Sequence, residues 1–63
     1  MLECSVIILN WNGEAMLRRF LPIVIAHTQL NGVEVVVADN GSTDGSLAYL
    51  RTQSVRIIDL GYN

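Results

Sequence analysis

Three short runs rich in β-branched residues divide the chain: SVIIL at 5–9, VEVVVA at 33–38 and VRIIDL at 55–60. Polar or glycine-bearing stretches stop each one. Asn10, Asn12 and Gly13 follow the first run, DNGSTDG the second and Gly61 the third. None alternates cleanly enough for a solvent-facing antiparallel sheet, so the pattern predicts strands buried on both faces, as in a parallel sheet. Between the first two runs Leu17, Phe20, Leu21, Val24 and Ile25 fall at i, i+3, i+4, i+7 and i+8, one helical stripe. Glu14 in the first turn suits the positive end of that helix. Pro22 conflicts with it, because an internal proline removes a hydrogen bond and clashes one turn back. The expectation is a kink near 18–21, or a break with Pro22 opening a second segment. The helix is expected to end near Thr28, with Asn31-Gly32 as the turn. A shorter helix is predicted over 45–52, with Leu47 and Leu50 inward and Thr43 or Asp44 as its N-cap. Asn40-Gly41 could instead form a hairpin turn, but 42–54 holds no β-rich run to return along.

The predicted order is β-α-β-α-β. Parallel strands joined by right-handed crossovers follow from it, which makes an α/β fold, half of a doubly wound sheet. Strands are expected near 4–10, 33–39 and 55–60, in the order 3-2-1 read outward, with the first strand central. Ligands of such sheets bind beyond the carboxyl ends of the strands. Two polar clusters fall there: Asn10-Trp11-Asn12-Gly13 and Asp39-Asn40-Gly41-Ser42-Thr43-Asp44.

Each cluster has two readings. Asp39 follows Val-Val-Val-Ala, and a carboxylate at a buried strand end must be paired or hydrogen-bonded. It could accept from a ribose hydroxyl or a base N–H, or organise the loop as an Asx-turn or helix cap. Trp11 could stack on a base or pack on the first helix. Asn12-Gly13 and Gly41-Ser42-Thr43 could cradle phosphate at helix N-termini or simply punctuate turns. Neither GxGxxG nor GxxxxGK[ST] is present, and the absence of Lys excludes a P-loop. Cys4 reads as a small core residue, His27 as a solvated or capping side chain, and Arg18 and Arg19 as a solvated helix face.

Composition narrows the field. The chain has 63 residues, 51% of them apolar and 16% charged, and a mean hydropathy of +0.38. That is more core-forming than a free-standing mini-protein of this size usually is, and suggests a piece of something larger. One Cys and one His exclude an internal disulfide and a four-ligand Cys/His zinc site. Four Arg against six acidic residues leave a net charge of −2 and no basic stripe for nucleic acid. The longest apolar run, 20–26, contains Pro22 and is far short of the ~20 residues of a membrane span. No secretory signal is read at the N-terminus. A cytoplasmic location is expected.

SVIILNWNG, a helix, and then VEVVVADNGSTDGS resemble the start of a family 2 glycosyltransferase of the GT-A fold. The resemblance runs from about Cys4 to Asn63. The specific match is Asp39 to Ser46, DNGSTDGS, and Gly61-Tyr62-Asn63 resembles the approach to the loop after the third strand. The resemblance implies a nucleotide-binding role for Asp39 against the uracil or ribose of a donor. It implies Trp11 against the base, Leu9 and Asn10 lining the base pocket, and Asn12 with Gly13 shaping the turn. Leu9 stands where proline is common. Asn40 stands where many members carry a second Asp, a version similar to rhamnosyl- and related transferases, and implies a UDP- or dTDP-type donor sugar.

The family's metal-binding Asp-x-Asp, acceptor site and catalytic base are expected downstream. No Asp-x-Asp occurs here, so no catalytic residue is assigned. A divalent metal, Mg or Mn, is expected in the full enzyme with its ligands outside this chain. The expectation is therefore an N-terminal donor-binding segment over 1–63. The full enzyme would transfer a sugar from a nucleoside diphosphate to an acceptor hydroxyl, in cell-surface polysaccharide biosynthesis. By itself the segment is expected to be inactive and to self-associate as a homo-oligomer. The alternatives are a receiver-like or other Rossmann-like binding module, or an inactive self-associating fragment. A receiver needs an acidic pair at the end of its first strand, where Asn10 and Asn12 stand.

Overall fold

The computed structural model describes residues 5–61. The expectations for Cys4 and for Tyr62-Asn63 lie outside that range. Five elements run in the predicted order: β1 (Ser5–Asn10), α1 (Glu14–Leu30), β2 (Glu34–Asp39), α2 (Ser46–Leu50) and β3 (Arg56–Asp59). All strand pairings are parallel, in the order β1-β2-β3. Within this sheet β2 is central and β1 lies at an edge, so the expected central first strand is corrected while the order holds.

The helices cover one face. Leu17, Leu21 and Ile25 of α1 and Tyr49 and Leu50 of α2 pack on Val35 and Val37, with Ile8, Val24, Val55 and Ile57 at the margin. Strand alternation turns Ile7, Leu9 and Ile58 to the other face, where they are 69%, 79% and 45% exposed. β1 therefore does not sit buried on both faces as its sequence predicts. Its apolar run is real, but only one side of it is covered here. Phe20 also departs from the predicted stripe and is largely exposed. In α2, Tyr49 and Leu50 are buried, whereas Leu47 is only half-buried. Arg18 is exposed, as expected, and its guanidinium also lies over the Tyr49 ring at 4.6 Å from its centroid.

Helix α1 runs unbroken through Pro22. The proline sits on the exposed side, where water can satisfy the carbonyl it orphans one turn back. The helix ends two residues beyond Thr28, in a Schellman motif. Val33 N–H donates to the Thr28 carbonyl at 3.0 Å and Gly32 N–H to the Gln29 carbonyl at 3.3 Å. Gly32 supplies the left-handed residue, with φ +67°. No described helix is long and apolar enough to cross a membrane.

Candidate functional site at the carboxyl end of the sheet

The inward apolar layer stops at Ile8 and Val37. The next inward pair is Asn10 and Asp39, neighbours in register. Both are buried, and Asp39 has no exposed surface. Asp39 Oδ1 accepts from Asn10 Nδ2 at 2.7 Å and from the Ser42 hydroxyl at 2.6 Å, and Oδ2 accepts from Ser42 N–H at 3.0 Å. Burial pushes this carboxyl up. The Ser42 hydroxyl, the Ser42 N–H and the Asn10 amide outweigh it and hold Asp39 below its ordinary 3.8. Every fully buried side-chain nitrogen and oxygen among the described residues has a partner.

The two loops beyond β1 and β2 are tied to each other. Asn12 adopts φ +50°. Its backbone N–H donates to the Ser42 hydroxyl oxygen at 2.9 Å. Its side-chain Oδ1 accepts from Thr43 N–H at 2.7 Å and Asp44 N–H at 3.2 Å. The helix starts are joined in the same way. Asp44 Oδ2 accepts from Glu14 N–H at 3.2 Å, Asp44 Oδ1 from Ser46 N–H at 2.9 Å, and Glu14 Oε1 from Gly45 N–H at 2.9 Å. Asp44 is thus not the N-cap of α2, and neither is Thr43. Gly45 takes that position, while the Asp44 carboxylate serves both helices. The Ser46 hydroxyl above all, with the Ser46 and Glu14 N–H groups, holds Asp44 below its ordinary value. Gly13 has a steric reason, since a Cβ there would come within 2.5 Å of the Asn10 side-chain oxygen.

On the sheet's open side, Leu9, Asn10, Trp11, Asn40 and Leu60 line a cleft of about 280 Å³. Trp11 is 56% exposed, so its ring is not consumed by packing on α1. Three of the residues singled out in the sequence, Leu9, Asn10 and Trp11, therefore meet here. Asp39 does not line the cleft. It stands behind it, held by Asn10 and Ser42. Asn12 borders a separate groove of about 620 Å³ with Gly13, Ala15, Met16, Arg19 and Phe20. Sequence reasoning missed Leu60 as a lining residue, and placed Ser42 in the candidate cluster without seeing it as the partner of Asp39. The strand-end rule that selected Asn10 and Asp39 reaches Leu60 too, and the Asp-x-x-Ser spacing of a local side-chain-to-backbone turn points to Ser42.

Among the described residues no three His, Cys, Asp or Glu side chains come together as a metal site. The polar groups of Asn10, Asp39 and Ser42 at the strand ends are spent on one another.

A parallel β-α-β-α-β unit with its polar loops and a cleft at the carboxyl strand ends belongs to the Rossmann-like α/β class. Comparison with known families narrows this. The family model for glycosyl transferase family 2 matches residues 5–63. The chain belongs to that family. No curated protein and no solved structure compared with it gives a match.

Proposed function

We propose that the chain supplies the donor-nucleotide half of a glycosyltransferase that moves a sugar from a nucleoside diphosphate, UDP- or dTDP-linked, to an acceptor hydroxyl. The observation that carries this is the cleft between Trp11, Leu9 and Leu60, with Asn10 and Asn40 completing its lining. An exposed aromatic ring and two aliphatic walls can sandwich a planar base. Asp39 supports the cleft floor by fixing Asn10. The direct contact with ribose or base that the family resemblance implies for Asp39 requires a rearrangement that exposes its carboxylate, which is fully buried and bonded to Asn10 and Ser42.

The diphosphate and the chemistry are assigned elsewhere. A divalent metal in the complete enzyme, Mg or Mn with ligands outside this chain, would neutralise the leaving diphosphate. A base beyond these residues would deprotonate the acceptor. The proposed setting is cytoplasmic. Without those groups, base and ribose contacts must work against the entropy of association, so binding by these residues alone is weak, with Kd on the order of 1 mM. Trp11 is the only tryptophan and reports directly. Titration with UDP should quench its fluorescence saturably, and inorganic pyrophosphate should not. Quenching by pyrophosphate and UDP alike, or by neither, would remove the cleft from consideration as a base site.

A further inference from the structure

We infer that Asn12 is a positioning residue: its left-handed backbone and side-chain carboxamide hold the 41–44 loop in place and so set the Asn40 side of the cleft. Its ligand consequence rests on the donor-site reading above; its structural half does not.

The argument starts from the backbone. Asn12 is the one non-glycine residue with positive φ among those described. Asn tolerates that region better than most residues because its short polar side chain can bond locally. Here it bonds instead across a sequence gap of 31 and 32 residues, to Thr43 N–H and Asp44 N–H. The same conformation sends its own N–H to the Ser42 hydroxyl, the group that also donates to Asp39. One residue of the first loop thus reaches three consecutive residues of the second. Asn40 and Gly41, with φ +75° at Gly41, span the short path from the end of β2 to this anchor. Moving the anchor moves Asn40, which lines the cleft. Asn12 faces the groove on the other side, so it acts on the cleft through the loop and not by touching what binds there.

Two substitutions separate the roles. Asn12→Gly keeps the positive φ and deletes the acceptor. Asn12→Asp keeps both. In the 15N-labelled chain, Asn12→Gly should speed amide exchange at Thr43 and Asp44 by about tenfold, the effect of losing one ordinary hydrogen bond. Val36 and Val37 in β2 should be unchanged. Asn12→Asp should restore protection. Its Thr43 and Asp44 amide proton shifts should also titrate with the introduced carboxylate, below the ordinary Asp value of about 3.9, because the two N–H bonds favour its charged form. UDP affinity should fall about tenfold in Asn12→Gly and stay within about twofold in Asn12→Asp. The inference is overturned if Thr43 and Asp44 exchange alike in the parent and Asn12→Gly chains. It is equally overturned if the Asn12→Asp carboxylate leaves those two amide shifts unmoved, a readout that survives even if Asn12→Gly fails to fold. A parent chain that ignores UDP would sink the donor-site reading alone, and the amide data would still decide whether Asn12 holds the loop.

Discussion

Replacing Asp39 by alanine should cost this chain a large part of its stability. The carboxylate is fully buried and takes three hydrogen bonds, two from side chains and one from the Ser42 backbone. Bonds to a charged group contribute about 1.5–3 kcal/mol each, and a buried donor left unpaired costs about 1–3 kcal/mol. The three are not additive, because Ser42 makes two of them and Asn10 Nδ2 keeps a 3.2 Å contact with the Ser42 hydroxyl. Relief from burying a charge offsets part of the loss. A net destabilisation of about 2–4 kcal/mol follows. A domain of this size has only about 3–9 kcal/mol in total. Urea unfolding followed by Trp11 fluorescence and circular dichroism would measure it, and with a slope near 1 kcal/mol/M the midpoint should drop by about 2 M or more.

The same experiment has a pH arm. The folded-state value of Asp39 is lowered from 3.8, so its contribution is complete above that unfolded-state value. It is lost as pH falls below 3.8 and through the folded value. Asp44, lowered in the same direction, adds to this acid sensitivity. Asp39→Asn keeps the shape without the charge and should remove the Asp39 part, leaving the shallower response of Asp44. A midpoint for Asp39→Ala within about 0.3 M of the parent would refute the reasoning, because a shift that small is about 0.3 kcal/mol and no buried clamp is worth so little.

Other outcomes follow from the same geometry. Gly13→Ala should destabilise by about 1–3 kcal/mol, since its methyl group meets an Asn10 side chain that Asp39 does not let move; thermal melting would check it. Leu21→Ala, at a position 1% exposed in the core, should cost about 2–5 kcal/mol in the urea assay. The open sheet face and the edge of β1 should recruit a second copy. Light scattering should then give a mass above the 7.0 kDa monomer, and Ile7→Glu, at a residue 69% exposed, should return the chain to monomer without lowering its secondary-structure content.

The order of elements and the strand positions were legible because β-branched runs and a 3.6-residue stripe are local signals. Residues 5–10, 34–39 and 56–59 fall within a residue or two of the expected strands. What covers a strand is not local. SVIIL predicts two buried faces, and whether the Ile7 and Leu9 side is covered depends on packing partners that no local pattern specifies. Pro22 does not break α1, for a related reason. Its cost depends on whether the orphaned carbonyl faces water, which requires knowing the helix's orientation on the sheet. In α2, Tyr49 displaced Leu47 from the predicted inner face, since with five residues the helix is too short for periodicity to fix its rotation. At the site, Asp39 was visible as a carboxylate that needed partners. Which partners it has was not, because Asn10 comes from a strand 29 residues away.

That dependence explains why the two loops form one unit. Inward-facing positions on β1 and β2 alternate Ile8, Asn10 and Val35, Val37, Asp39, so the apolar core gives way to a polar pair at the last residue of each strand. A buried carboxylate there is tolerable only with its oxygens occupied. Asn10 occupies one from the first strand, and Ser42 occupies both from the second loop. Ser42 is itself held by Asn12 from the first loop. Neither loop can satisfy Asp39 in this way while the other is elsewhere. The cleft takes Leu9, Asn10 and Trp11 from one side and Asn40 from the other, so its shape is fixed by the same requirement. Burying one acid at the strand end thus determines the spacing between the groups proposed to receive a nucleoside, and a substitution that frees either loop should alter fold stability and cleft geometry together.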